Sequence, residues 1–228
     1  MKKWIVHGGA GCLLGMALML PVVSGAAAPS FDCAHASSGV ETAICRSPAL
    51  MAADRAMADA YRIAHERLDH DAGRKLVQDQ KAYLVARDYA FHDVPSRAEE
   101  KTLLENLQGR TRFLRGIPAH VPAGFSGRWG SVGGLVVVDT ADGAYKVSVN
   151  TVEPNMGRWI CNTGGIGTIV GNKLVVKVDD GAVVQLNRDG SLLKVETNPP
   201  SSAPDWHPSY CGTNGSLDGE YFPSSGAN

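Results

Sequence analysis

Residues 31–64 read FDCAHASSGVETAICRSPALMAADRAMADAYRIA, and residues 75–89 continue the same pattern with KLVQDQKAYLVARDY. This stretch holds Cys33 and Cys45 and two successive helix-start signals, each followed by an amphipathic run. Paired cysteines are typical of exported proteins, because the cytoplasm keeps thiols reduced. The stretch therefore predicts a small helical domain, stapled by a disulfide and located outside the cytoplasm.

The helix-start signals are local and physical. Ser38 followed by Glu41 is a capping box, in which two side chains satisfy the first free N–H groups of a helix. Ser47-Pro48 starts a second helix, where proline loses nothing because its missing N–H has no partner there. Ser96 with Glu99 forms another capping box. The predicted helices cover about 39–45, 48–68, 73–91 and 97–114.

The first residues have the pattern of an export signal. Lys2-Lys3 precede an apolar segment from Leu13 to Val23, and the small residues Ser24-Gly25-Ala26-Ala27 follow it. A signal peptidase accepts this order, and the apolar segment is too short to span a bilayer comfortably. We predict a signal peptide at 1–27, cleaved after Ala26 or Ala27, and a periplasmic or secreted protein without a membrane span.

The charge balance restricts the partners. The chain has 22 basic and 23 acidic residues, and loss of Lys2 and Lys3 with the signal leaves it mildly acidic. Nucleic acid and anionic membrane surfaces require a basic footprint, so we predict neither as a partner. A mildly acidic surface suits a basic protein partner.

The cysteines predict two disulfides. Cys12 precedes most of the apolar segment, so it is not a lipoprotein cysteine and leaves with the signal. Four cysteines remain, and they allow three connectivities. Two lie in each half of the chain, so independent folding of the halves would pair Cys33 with Cys45 and Cys161 with Cys211. Zinc binding is disfavoured because no C-x-x-C pair occurs.

The second half of the chain changes character. Short alternating runs are separated by glycines and by turn pairs such as Asp142-Gly143 and Asp180-Gly181, which are strong hairpin signals. The pattern predicts an antiparallel meander, either a barrel or a sandwich. The glycine-rich run 164–167 is interpreted as a hairpin or bulge. The predicted strands are 125–130, 134–140, 144–152, 158–162, 167–170, 173–179, 182–187 and 192–197, with Tyr221 and Phe222 as a last strand.

The predicted fold class is α+β with two domains. The first is a disulfide-stapled bundle of about four helices at 29–118, and the second is the all-β meander at 125–223. Residues 119–124 are predicted as a linker and 224–228 as a disordered tail.

Five motifs in the first half carry a resemblance. F-D-C, V-E-x-x-I-C, S-P-x-L, x-D-x-x-M-x-x-x-Y and Q-x-x-Y-L-x-x-R-D occur in this order. Over residues 31–90 the chain resembles the N-terminal domain of LprI-type lysozyme inhibitors, although members commonly have tryptophan at Tyr83 and a further cysteine at Ala90. The motif positions are Cys33, Glu41, Ile44, Cys45, Leu50, Asp54, Met57, Tyr61, Gln80, Tyr83, Leu84, Arg87 and Asp88. The resemblance implies a helical module that binds a lysozyme.

Two sets of residues are candidate contact sites. The first set consists of the motif residues Asp54, Tyr61, Gln80, Tyr83, Arg87 and Asp88. They form either an internal polar network, in which Arg87 pairs with Asp54, or a protein-contact patch, and the network is favoured. The second set is the segment Ser126-Gly127-Arg128-Trp129. It resembles either a partner-contact loop of a barrel-type lysozyme inhibitor or the G-x-W first strand of calycin-like barrels. The first-strand interpretation is favoured.

No motif predicts catalysis. The histidines show neither H-x-x-x-H nor H-E-x-x-H spacing, and no G-x-S-x-G element is present. We therefore predict a non-enzymatic binding protein without catalytic residues, metal or cofactor, and most concretely a lysozyme inhibitor. The alternative is a periplasmic protein that binds a ligand or envelope component in the barrel mouth, with the helical domain as a structural or docking module. The oligomeric state is left open.

Overall fold

The computed structural model describes residues 28–91, 93–200 and 206–225. The predicted signal peptide with Cys12, and residues 226–228 of the predicted tail, lie outside the described residues. A short 3-10 turn at Cys33–His35 precedes the regular elements. These are α1 (Gly39–Arg46), α2 (Pro48–Arg67), α3 (His70–Ala90), α4 (Arg97–Arg115), β1 (Gly127–Ser131), β2 (Gly134–Ala141), β3 (Ala144–Val152), β4 (Ile160–Val170), β5 (Lys173–Lys177), β6 (Val183–Asp189), β7 (Leu192–Asn198) and β8 (Gly219–Ser224).

The four predicted helices are confirmed, and α3 is longer than predicted. Both capping boxes form, at Ser38 and at Ser96. Helix α3 begins at His70 instead of near Gly73, because the Asp69 carboxylate accepts from the N–H groups of Asp71 and Ala72. Gly73 is tolerated inside the helix where it packs against the His65 ring.

The helices bury an apolar core and close the first disulfide. Helix α2 packs along α4, and the buried side chains of this core include Leu50, Met57, Leu103, Leu107 and Leu114. Cys33 and Cys45 are bonded, which ties the incoming chain to the last turn of α1 and confirms the predicted pair. In the chain-entropy account a loop of this size stabilises the fold by about 3 kcal/mol.

The second half is a closed barrel, which decides between the two predicted architectures. Each strand pairs antiparallel with the next from β1 to β8, and β8 returns to pair with β1. Valines and leucines at alternate positions fill the interior, as expected for a small eight-stranded barrel. These interior residues include Val136, Val138, Val147, Val149, Leu174, Val176, Val184, Leu186, Leu193 and Val195.

The prediction of two strands around residues 164–167 is wrong. Strand β4 is continuous over eleven residues, and Gly164, Gly165 and Gly167 all pair with β3. At Gly164 and Gly167 a Cβ atom would overlap the Val147 carbonyl and the Leu174 side chain respectively. The glycines therefore allow the neighbouring strands to pack closely against β4, and they do not form a turn.

The second disulfide fastens the segment after β7 to the barrel. Cys161 in β4 is bonded to Cys211, as predicted, and the two residues also form an isolated antiparallel bridge. Strand β8 includes Ser224, so the predicted disordered tail begins too early. The Ser225 N–H donates to the Gly116 carbonyl at 2.8 Å, which holds the end of the barrel against the end of α4.

The helical bundle and the barrel share a core. Leu192 of β7 and Phe222 of β8 are buried with the helical side chains, and Phe222 meets Phe113 edge to face at 6.4 Å. A Cβ atom at Gly130 would lie 2.9 Å from the Phe113 ring. The two halves therefore bury apolar surface against each other, and separating them would expose it.

Candidate functional site

The family motif residues line a pocket in the helical bundle. Asp54, Met57 and Tyr61 of α2 face Gln80, Leu84 and Arg87 of α3, and the pocket has a volume of about 310 Å³. Glu41 of α1 and the incoming residues Ser30 and Phe31 complete it. We call this site the motif pocket.

Glu41 is held at the pocket by its role as a cap. Its Oε2 accepts from the N–H and hydroxyl of Ser37, at 2.6 and 2.9 Å, and from the Ser38 N–H at 3.3 Å. These donors, above all the Ser37 N–H, lower the pKa of Glu41, and the Arg87 charge adds to the effect. Glu41 is therefore anionic at neutral pH.

Asp54 is the most deeply buried carboxylate of the pocket. Only 2% of the residue is exposed, and its Oδ2 accepts from the Ser30 N–H at 2.7 Å. This bond fixes the incoming chain over the pocket. A buried carboxylate that accepts one hydrogen bond retains capacity for further donors.

Arg87 does not pair with Asp54, so that prediction is wrong. Its guanidinium contacts the carboxylate of the adjacent Asp88 instead, through Nε at 2.8 Å and Nη2 at 2.6 Å. The pair is intrahelical, so it does not join α2 to α3. Arg87 itself is 5% exposed and lines the motif pocket.

Gln80 connects the pocket to the barrel through Arg110 and Asp79, two residues that the sequence motifs do not include. Arg110 of α4 donates from Nε to Gln80 Oε1 at 2.9 Å, and its Nη2 lies 2.7 Å from Asp79 Oδ2. Asp79 Oδ1 in turn accepts from the Val132 N–H in the β1–β2 turn at 2.7 Å. One signal was available: Arg110 falls at helical spacing among the apolar residues of α4, such as Leu107.

The two tyrosines of the motif, Tyr83 and Tyr61, are partly or fully buried and keep their phenol protons. The Tyr83 hydroxyl donates to Asn106 Oδ1 at 2.6 Å, and the Arg110 guanidinium lies 5.1 Å from its ring centroid. Burial raises the pKa of Tyr83 to about 12. Burial also raises the pKa of Tyr61, which lines the motif pocket. Both phenols are therefore neutral hydrogen-bonding groups at physiological pH.

The segment Ser126–Trp129 is not an open contact loop. Trp129 is 1% exposed, and its Nε1 donates to the Phe125 carbonyl at 2.8 Å. The Arg188 guanidinium covers the Trp129 ring at 4.4 Å and donates to the carbonyls of Pro122, Gly124, Gly190 and Leu192. Trp129 thus closes one end of the barrel. Ser126 is exposed and its hydroxyl contacts Thr140 Oγ1 at 2.7 Å, while Arg128 is half-buried in β1.

The motif pocket carries more acidic than basic side chains. Two carboxylates, Glu41 and Asp54, line it together with one guanidinium, and that guanidinium is already neutralised by Asp88. The remaining negative charge favours an ammonium or guanidinium group that can donate several hydrogen bonds. Within the described residues, no group of three or more His, Cys, Asp or Glu is placed to hold a metal ion.

Comparison with known protein families gives a match that falls on the helical domain. Residues 33–114 match the family described as "Lysozyme inhibitor LprI". No curated protein matches the chain, and no solved structure does. The family resemblance inferred from the sequence is confirmed for this part of the chain, and the barrel lies outside the match.

The protein is thus a two-domain α+β chain, in which a helical domain that matches the LprI family model over residues 33–114 is followed by a closed eight-stranded barrel. The family description names inhibitors and not enzymes. The two disulfides are typical of an extracytoplasmic protein. In the part of the chain that the structure describes, no helix is both long and apolar enough to cross a membrane.

Proposed function

We propose that this protein is an exported, non-enzymatic inhibitor of a lysozyme-type muramidase and that the motif pocket receives a cationic side chain of the target. The observation that carries the proposal is the coincidence of two features. The family match covers the helical domain, and the motif residues within it converge on one pocket of net negative charge.

The pocket suits a side chain better than a whole small molecule. Its volume of about 310 Å³ lies at the lower end of the roughly 300–1,000 Å³ typical of ligand sites. A lysine or arginine can bury its aliphatic stem against Met57 and Leu84 and bring its charge to Asp54 and Glu41. A buried charged anchor of this kind is a typical hot spot of a protein interface.

Net charge supports the same partner class. The chain without its signal residues Lys2 and Lys3 is mildly acidic, so long-range attraction speeds its encounter with a basic protein. Inhibition would be steric, because a domain bound beside the cleft of the muramidase blocks the entry of the polysaccharide substrate. The interaction weakens as salt is added, since the charges are screened.

The test is a titration of the oxidised chain from residue 28 onward against a panel of lysozymes. Lysis of cell walls reports inhibition, and calorimetry reports complex formation. The whole chain is used because Leu192 and Phe222 of the barrel are buried in the helical core. We expect saturable inhibition near one-to-one stoichiometry. If no lysozyme of the panel is bound or inhibited, the proposal is refuted.

Asp54→Asn tests the role of the pocket separately. The substitution removes the charge, but the new side chain still offers an oxygen to the Ser30 N–H, so the fold is retained. We expect the dissociation constant to rise about tenfold or more, which corresponds to roughly 1.4 kcal/mol. Asp59→Asn is the matched control on the same helix, because Asp59 is half-exposed outside the motif pocket. Inhibition that is equal in wild type and Asp54→Asn would move the contact away from the pocket.

The alternative of a ligand in the barrel mouth has weaker support. Trp129 and Arg188 close one end of the barrel, and the interior positions of the described strands are filled by aliphatic side chains. A ligand of the β domain would therefore bind on its outer surface.

A further inference from the structure

A second cleft lies on the outer wall of the barrel, on the part of the chain that the family match does not cover. It has a volume of about 490 Å³ and lies between strands β3 and β4 and the segment that contains Ser209 and Tyr210. We call it the β4 cleft. Its rim carries Lys146, Asn162 and Asp179.

The wall of the β4 cleft is held rigidly. The Asn162 N–H donates to the Tyr210 carbonyl at 2.9 Å, and the Gly212 N–H donates to the Ile160 carbonyl at 3.0 Å. The Cys161–Cys211 disulfide lies between these two bonds. A segment without regular secondary structure is thus fixed at three neighbouring points, so the cleft is formed before any ligand arrives.

Two glycines of β4, Gly164 and Gly165, are among the residues that line the cleft. Gly164 is exposed, and it has to remain glycine because a Cβ atom would overlap the Val147 carbonyl. The neighbouring strand β3 therefore approaches Gly164 closely, and no side chain at position 164 projects into the cleft. The cleft is therefore lined at this point by backbone atoms, which a ligand can approach directly.

The polar groups at the rim are free for a ligand. Within the described part of the chain, the side chains of Lys146, Asn162 and Asp179 make no hydrogen bond or ion pair. They supply an ammonium donor, an amide that both donates and accepts, and a carboxylate acceptor. The ring of Tyr210 adds an aromatic surface, and burial raises the pKa of its phenol to about 12, so it stays neutral.

This combination of groups discriminates between ligand classes. An anion would be attracted by Lys146 but repelled by Asp179. A cation would be attracted by Asp179 but repelled by Lys146. A neutral ligand rich in hydroxyl groups satisfies both charges and the amide, because each hydroxyl can donate and accept. The volume falls within the range of small-ligand sites.

We propose that the β4 cleft binds a short neutral oligosaccharide, with Asn162 and Asp179 as hydrogen-bonding residues and Tyr210 as the stacking surface. The site is independent of the motif pocket, and its occupation does not require that the protein inhibit a muramidase.

The test is a titration of the whole oxidised chain with tri-N-acetylchitotriose and, separately, with maltotriose, both of which are neutral; amide and side-chain NMR resonances report binding. We expect saturable shifts of the Gly164 amide and of the Asn162 side-chain NH₂ with at least one sugar, at concentrations up to about 10 mM. Asn162→Ala and Asp179→Ala should each weaken binding about fivefold or more, since each removes hydrogen bonds to the ligand.

Asn172→Ala is the control, because Asn172 is an exposed residue of the β4–β5 turn outside the cleft, and it should bind as the wild type does. Absence of saturable shifts with both sugars would overturn the proposal. So would binding that is unchanged in Asn162→Ala and Asp179→Ala. A preference for glucose 6-phosphate over the neutral sugars would identify an anion site instead and would also refute the assignment.

Discussion

The ion pair between Asp79 and Arg110 offers the sharpest test of how the helical domain and the barrel are joined. Both side chains are almost completely buried, with 8% and 4% exposed, and the Arg110 Nη2 to Asp79 Oδ2 distance is 2.7 Å. The contact is close, but it is not aligned as a hydrogen bond. Asp79 also accepts the Val132 N–H of the barrel, and Arg110 lies between the rings of Tyr83 and Phe113.

Asp79→Ala removes both interactions of the carboxylate. It leaves the Arg110 guanidinium buried without a counter-ion, which in buried pairs costs about 3–5 kcal/mol. It also leaves the Val132 N–H without its acceptor, which costs roughly 1–3 kcal/mol. Because the two effects share one side chain they are not additive, and we expect a total loss of about 4 kcal/mol. For a chain of this length that lowers Tm by about 8–16 °C.

Two variants separate the contributions. Asp79→Asn keeps an oxygen for Val132 but loses the charge, so we expect an intermediate loss of about 2 kcal/mol. Asp59→Ala, at a half-exposed carboxylate of α2, should change the free energy of unfolding by no more than about 0.5 kcal/mol.

Urea unfolding is followed by far-UV circular dichroism, which reports the helices, and by tryptophan fluorescence, which reports the barrel through the buried Trp129. In the wild type the two signals should change together, because the domains share a core. In Asp79→Ala the helical signal should be lost at lower urea than the fluorescence. A loss below about 1 kcal/mol would refute the reasoning, since it would mean that Arg110 finds water or another partner.

Three further predictions concern other links in the structure. Arg188→Ala should destabilise the protein by about 2–3 kcal/mol, seen in the fluorescence melting curve, because the guanidinium donates to four carbonyl groups and covers Trp129; Arg188→Lys should recover only part of this. Replacing Cys161 and Cys211 by serine should cost about 4 kcal/mol of unfolding free energy, from the loop of separation 50 that the disulfide closes. Hydrogen bonds, first from the Ala72 N–H and then from Ser191, lower the pKa of Asp69 to about 2, so its contribution is present above about pH 4 and is lost as the pH falls toward 2. Asp69 is exposed, so solvent screening reduces this contribution to below about 1 kcal/mol, and urea unfolding at pH 5 and pH 3 should show a smaller difference in Asp69→Asn than in the wild type.

Much of the fold was predictable because its signals are local. Each capping box lies within four residues, and its hydrogen bonds form wherever the rest of the chain goes. The turn pairs Asp142-Gly143 and Asp189-Gly190 adopt positive φ at glycine and set the hairpins between successive strands. Four cysteines divided between two halves predicted both disulfides.

The error at β4 shows where local signals mislead. Gly164, Gly165 and Gly167 have low strand propensity, so by themselves they predict a turn. Strand β3 pairs with this run along its whole length, and the tight packing against Val147 and Leu174 requires glycine. The neighbouring strand thus determined the conformation, and only the tertiary structure contains that information.

The candidate sites likewise depend partly on local sequence and partly on tertiary structure. The sequence alone determined the helices, with their capping boxes, and the motif residues, because these depend on neighbours within a few positions along the chain. The export signal stays a prediction. Tertiary structure alone decided that Arg87 pairs with Asp88 and not with Asp54, that Arg110 is buried beside Asp79, and that Arg188 covers Trp129. Each of these outcomes depends on helix rotation and strand register, and a buried charge takes whichever partner that geometry brings within reach.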